Sequence, residues 1–173
     1  MAARDRAAAM RAIEMIPHPV RLAREADIAR IWAEAEQADL YGARKLGGCL
    51  LVPLMRNGIM RNLQVINPDG SKRFATHGKT AGCYFMIGKP SGVIFVAADY
   101  EVAVAVHEAT GWACAVAFTD QNFPHVARKL WLENPGIVIV VVADPGNTQA
   151  AHAAAAVGGR TVSPSIEEWS AAT

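Results

Sequence analysis

Three nearly unbroken apolar runs, Val93–Ala97, Ala113–Phe118 and Ile137–Val142, constrain this chain more than any other feature. Each is followed by a stretch that reads as a helix, over about 100–110, 122–132 and 147–157. A strand that is apolar on both faces needs cover on both, and helices on either side of a parallel sheet provide it. The run over residues 93–157 therefore predicts an α/β core, extended by a short strand near Arg160–Val162 and a helix near Ser165–Ala171. Gly111 and Asn147 stand where a helix C-cap and N-cap are wanted, and Gly158-Gly159 closes the helix that follows Asn147. Ligands of such sheets gather beyond the carboxyl ends of the strands. There this chain offers single acids, Asp99, Asp120 and Asp144, with Glu101 close behind the first.

Upstream the pattern changes. Cys49–Met55, Leu63–Ile66, Lys72–Ala75 and Cys83–Ile87 read as short strands separated by turns. Arg56-Asn57-Gly58 and Asn67-Pro68-Asp69-Gly70 are turn sequences, because Pro presets φ while Asn and Gly tolerate positive φ. A small antiparallel sheet is expected over 49–90 and the α/β domain over 91–173. Residues 1–48 are expected to be a helical segment. Met1–Ile16 reads as a helix broken by Pro17 and Pro19, and Val20–Ala38 as a second helix with Leu22, Ile28, Ile31 and Trp32 on one face. Tyr41–Gly48 reads as a glycine-loosened link.

With 173 residues, 52% of them apolar, the chain can bury a core without covalent staples. Its longest apolar run is far too short to cross a bilayer, so no membrane role is expected. The Ala- and Arg-rich start lacks the continuous apolar stretch of a secretory signal, although its composition is also that of an amphipathic organelle presequence. Cys49, Cys83 and Cys114 are odd in number and widely spaced, which suits buried thiols in a reducing cytoplasm better than a disulfide framework or zinc ribbon.

Net charge is only +1, but it is unevenly spread. Residues 41–90 hold eight cations (Arg44, Lys45, Arg56, Arg61, Lys72, Arg73, Lys79 and Lys89) against Asp69 alone, whereas the segments on either side are net acidic. Such a block points to nucleic acid or another polyanion, since neutralising phosphates drives association.

The short motifs point away from several chemistries. Gly78-Lys79-Thr80 lacks the glycine five positions before Gly78, where Arg73 stands, so it is not a P-loop. His107-Glu108 opens like a zinc-protease helix, but Gly111 occupies the place of the second His. Ser163 and Ser165 lack a nucleophile-elbow context, and His18, His77, His125 and His152 are scattered. Asp99, Asp144 and Glu101 are the acids that could share a Mg²⁺ ion, against the simpler role of Asp99 and Asp144 as helix caps.

Several segments together carry a family resemblance. Leu51-Val52-Pro53-Leu54, the stretch Leu63–Phe74 and Gly82-Cys83-Tyr84-Phe85-Met86-Ile87-Gly88 resemble plasmid and phage primases, in the region that carries a TOPRIM (topoisomerase–primase) domain. Val106-His107-Glu108-Ala109-Thr110-Gly111, Val116-Ala117-Phe118 with Asn122, and Ala154–Gly159 continue it. So do Ala29-Arg30-Ile31-Trp32 and Tyr41–Lys45 upstream. The resemblance spans roughly residues 28–163. It implies a parallel sheet, Mg²⁺ and nucleic-acid chemistry, with a Glu after the first strand and an Asp-x-Asp after the third. Here the Glu position falls on Ala98, and the Asp-x-Asp falls on Asp144-Pro145-Gly146, which keeps only its first acid. A methyl group or a hydrogen can neither ligate a hard cation nor act as a base.

The expectation is a primase-derived, TOPRIM-like protein of a mobile element, catalytically degenerate and without a cofactor. It would bind single-stranded or duplex nucleic acid through Arg61, Lys72, Arg73 and Lys79, with Asn122 capping the helix it opens. Two alternatives differ in class. One is a protein that inhibits a host nucleic-acid or defence complex. The other is an active Mg²⁺-dependent enzyme using Asp144, Asp99 and Glu101.

Overall fold

The computed structural model describes residues 25–38, 40–76 and 80–172, in two compact units divided between Thr80 and Ala81. The expected first helix over 1–16 and the start of the second lie outside the described residues, as do His18, His77, Gly78 and Lys79.

The first unit opens with helix α1 (Glu25–Glu34), followed by strands β1 (Glu36–Gln37), β2 (Arg44–Leu46), β3 (Cys49–Arg56), β4 (Ile59–Ile66) and β5 (Lys72–Phe74). The strands form one antiparallel sheet in chain order. The β3–β4 turn is Asn57-Gly58, with φ of 51° and 75°. Both central positions of a tight hairpin of this hand need positive φ, hence Asn then Gly. The register slips between Leu54 and Met55, leaving Arg61 as the extra residue of a bulge on β4. Pro53 is tolerated in β3 because β2 pairing stops at Leu51. At the next turn, Gly70 donates to the Asn67 carbonyl and Asn67 to that of Ser71.

Side-chain alternation divides this sheet into two faces. Helix α1 covers one of them, burying Ile28 and Ile31 on Leu51, Leu63 and Val65. Each such burial contributes about 2 kcal/mol. Arg44 fastens the helix end: it donates to the Trp32 carbonyl at 2.8 Å, and its guanidinium lies 4.3 Å from the indole centre. Two expectations need correction here. The second helix ends at Glu34 rather than Ala38, and the supposed link contains β2, because Leu46 has a core to enter.

The second unit contains β6 (Phe85–Ile87), β7 (Val93–Ala97), α2 (Tyr100–Thr110), β8 (Ala113–Val116), α3 (Phe123–Glu133), β9 (Val138–Val142), α4 (Thr148–Ala156), β10 (Arg160–Val162) and α5 (Ile166–Ala171). Its sheet order is β10-β9-β7-β8-β6, parallel except for β6. Ile94, Val96, Ile139 and Val141 pack under α3 and α4 in one apolar cluster, while Phe95, Cys114 and Val140, from the alternate positions, are buried on the opposite side. The α/β class, with an antiparallel β-sheet unit ahead of a largely parallel sheet flanked by helices, is the one expected. The strand expected over Cys83–Ile87 does not join the first sheet: it pairs antiparallel with β8 and closes the second. The strand expected to reach Phe118 ends at Val116, and Phe118 turns to φ 70°.

Gly111 ends α2 with φ 74°, and Asn147 caps α4 by accepting from the Ala150 amide at 2.9 Å. Asn122 stands before α3 but makes no side-chain capping bond. Buried at 2% exposure, it accepts from the Gly82 amide at 2.8 Å and donates to the carbonyls of Cys83 at 2.8 Å and Ala117 at 2.9 Å. It thereby ties the approach to β6 to the end of β8. Nearby, the Tyr84 hydroxyl donates to Glu133 at 3.2 Å, and Lys129 holds the other carboxylate oxygen at 2.9 Å. Burial, then the Glu133 charge, push the Tyr84 phenol up to about 12.

Two predictions follow from these clamps. Asn122→Ala strands three buried backbone groups and is expected to cost about 3 kcal/mol, read as a lower urea midpoint at unchanged slope. The Tyr84 phenol is raised in the folded state, so its contribution is complete below the ordinary tyrosine pKa of about 10. It is lost as pH rises toward 12. Tyr84→Phe is expected to flatten the alkaline fall in melting temperature across that window.

Candidate nucleic-acid interface and strand-end cleft

Beyond the carboxyl ends of β7 and β9 a cleft of about 110 Å³ is lined by Ala98, Asp99, Asp120, Ala143, Asp144 and Asn147, among others. A second, of about 320 Å³, shares Ala143, Asp144 and Asn147 and runs past Gly146 to Ser163 and Glu168. The backbone explains how three acids arrive together. Each parallel strand ends at the same level, and Phe118, donating from its amide to the Ala98 carbonyl at 3.0 Å, bends the chain so that Asp120 opens a short turn there. A non-glycine residue held at positive φ costs on the order of 1 kcal/mol.

The acids are not equivalent. Asp120 accepts from the Asn147 amide group at 2.9 Å. Asp99 occupies the N-cap position of α2 without a side-chain capping bond, and Asn147, not Asp144, caps α4. Glu101 is exposed in the first turn of α2 and lines neither cleft. Ala98 lines the smaller cleft and Gly146 the larger, so both positions where the resemblance places further acids open on this site without a carboxylate. Among the described residues no three His, Cys, Asp or Glu side chains group closely enough to hold a metal ion. The donor set therefore does not fit a Mg²⁺ centre of the kind the resemblance implies.

The first unit presents the opposite charge. Arg61 is partly exposed at the β4 bulge, Lys72 is exposed on β5, and Arg73 beside it is partly buried. Lys79 lies outside the described residues. Lys45 on β2 is exposed too, but the sheet register sets it directly opposite Glu36 of β1. Arg44 is withdrawn, its guanidinium committed to Trp32. Asp69 accepts from the Ser71 hydroxyl at 2.6 Å and amide at 2.9 Å, and these bonds hold its carboxyl below the usual range. The turn acid thus stays ionised and occupied locally. Burial raises the Cys49 and Cys114 thiols above their ordinary range, and all three cysteines are free and buried. None of them has the exposed, electropositive setting of a reactive thiolate. No helix among the described residues is long and apolar enough to cross a membrane.

No protein-family model matches this chain. Two curated proteins from Escherichia coli do, each named DNA primase TraC. One is 31% identical over 125 residues, which is 62% of this chain and 12% of that protein. The other is 31% identical over 119 residues, 59% of this chain and 8% of that protein. The chain thus spans about a tenth of the length of the relatives it matches, and over about 60% of its own length it is related to these DNA primases.

Proposed function

We propose that this chain is a primase-derived, TOPRIM-like nucleic-acid-binding module of a mobile element that works without catalysis. The observation that carries the reading is the 31% identity to DNA primase TraC over 125 residues. The basic antiparallel sheet supports it: Arg61, Lys72 and Arg73 lie on the first unit, which holds seven of the eight cations of residues 41–90 against Asp69, and Lys79 belongs to the same segment. Lysines serve phosphates as point charges and arginines as planar forks, and neither needs a metal. Ala98 and Gly146, standing where the resemblance puts two acids, favour loss of phosphoryl-transfer chemistry. The cleft that gathers Asp99, Asp120 and Asp144 is the feature that favours the competing reading, an active Mg²⁺-dependent enzyme.

Two measurements separate these readings. Fluorescence anisotropy of labelled single-stranded DNA is expected to give the same affinity in Mg²⁺ and in EDTA. The unmodified chain is expected to synthesise no primer in Mg²⁺, with Ala98→Glu/Gly146→Asp as the restored comparison. Primer made by the unmodified chain overturns the non-catalytic reading. Thermal melting supplies an independent check. A resident Mg²⁺ site filled at a hundred times its dissociation constant adds about 2.7 kcal/mol. The melting temperatures in Mg²⁺ and in EDTA are instead expected to coincide within about 1 °C.

A further inference from the structure

The β3–β4 hairpin outruns its neighbours. β2 pairs with β3 only from Cys49 to Leu51, and β5 with β4 only from Gln64 to Ile66. The chain after β5 stays beside β4 a little longer: the Ala75 amide donates to the Leu63 carbonyl, and the Asn62 side chain holds both backbone groups of Thr76. Among the described residues no strand flanks 55–61, so this end of the hairpin stands as a two-stranded ribbon. Asn57 and Gly58 hold its turn at positive φ, and the bulge at Arg61 adds twist. Met55 and Met60 are directly opposite and share a face, and Met60 packs on the apolar cluster that α1 closes. Arg56 and Ile59, the next pair, share the other face. Deeper in the sheet that face is closed, with Val52, Leu54, Asn62 and Gln64 buried. At the tip it is open: Arg56 is exposed and Ile59 is 53% exposed.

An exposed guanidinium directly opposite an exposed aliphatic side chain, on an anchored ribbon, suits duplex DNA. The three residues from Met55 to Asn57 reach about 10 Å at about 3.3 Å each. The major groove is about 8.5 Å deep and about 12 Å wide, which admits a two-stranded ribbon. An aliphatic side chain on the groove floor meets thymine methyl groups, and a guanidinium at the rim meets phosphate. A single strand is less well served, because its unstacked bases seek aromatic faces and residues 55–61 contain none.

We infer that the β3–β4 hairpin enters the major groove of duplex DNA, with Arg56 on a backbone phosphate and Ile59 against thymine methyl groups. Arg61, partly exposed at the bulge, adds positive charge behind the tip. The inference rests on the nucleic-acid reading above and adds to it a surface and a preference for duplex DNA.

The test is anisotropy of a labelled A·T duplex with the full chain over a salt series, repeated with deoxyuridine in place of thymidine, with duplex RNA and with single-stranded DNA. Loss of the thymine methyl is expected to weaken binding about fourfold. Ile59→Ala is expected to bind both DNA duplexes equally and leave the salt slope unchanged, since an apolar contact releases no counterion. Arg56→Gln is expected to weaken binding and to lower the slope of log affinity against log salt by about 0.9, while the thymine preference stays. Arg128→Gln, which removes an exposed cation of the second unit, is expected to change neither quantity. Both hairpin variants are expected to melt within about 2 °C of the unmodified chain, because the side chains they alter are exposed. Duplex RNA, whose major groove is too narrow for side chains to read, is expected to respond to neither hairpin variant. An unmodified chain that binds no nucleic acid at low salt overturns the nucleic-acid reading itself. If it binds but the slope ignores Arg56, or Arg128→Gln lowers it equally, the hairpin is the wrong surface. Single strand bound as tightly as duplex, or thymidine and deoxyuridine duplexes bound alike, overturns the groove contact.

Discussion

Strand β7 has to satisfy two hydrogen-bonded neighbours and two apolar faces at once, and the second unit is arranged around that demand. It pairs in parallel with β8 on one side and β9 on the other, and Ile94, Phe95, Val96 and Ala97 are all fully buried. Nothing polar can be placed along it, so chemistry is possible only where the strands stop. That is why the acids of this unit gather beyond Ala97 and Val142. The Phe118 turn, at a backbone cost of its own, brings Asp120 there from the neighbouring strand end.

The charge asymmetry of the chain has a structural counterpart in each unit. In the antiparallel sheet, the edge strands β1 and β5 carry Glu36, Lys72 and Arg73, whose charges discourage further strand pairing, while the interior strands β3 and β4 are largely apolar. The parallel unit instead holds its acids singly, one per strand end, and uses Asn147 to occupy Asp120 and to cap α4 with one side chain. A carboxylate engaged in this way is worth more to the local fold than to a hard cation.

Much of the fold was legible in the sequence, because its signals are local. Apolar runs marked β7, β8 and β9, Asn57-Gly58 and Asn67-Pro68-Asp69-Gly70 marked the turns, and Gly111 and Asn147 marked helix ends. What stayed hidden depends on which elements meet. A short apolar segment such as Phe85–Ile87 has the same composition whichever sheet it joins, so its partner β8 could not be read from it. Asn122 reads as a cap because it precedes a helix, yet its amide is spent on Gly82, Cys83 and Ala117. Arg44 counts as one more cation until Trp32 is placed beside it. The strand-end acids were individually visible. Their convergence, and the exclusion of Glu101 from it, required the backbone geometry.

The two strand orders carry a kinetic consequence. In the first sheet every strand pairs with its immediate predecessor in the chain, so each step closes only a short loop. In the second, β6 must wait for β8, with β7 and α2 made in between, and β9 must come to the side of β7 that β8 leaves open. Parallel pairings and bridged edges form late, since their loop entropy is lost before any contact rewards it. The meander therefore reaches its native pairing first, and it is also the part synthesised first. The slow step of maturation falls on the sheet whose last hydrogen bonds belong to β6, with Asn122 the residue that locks it in place.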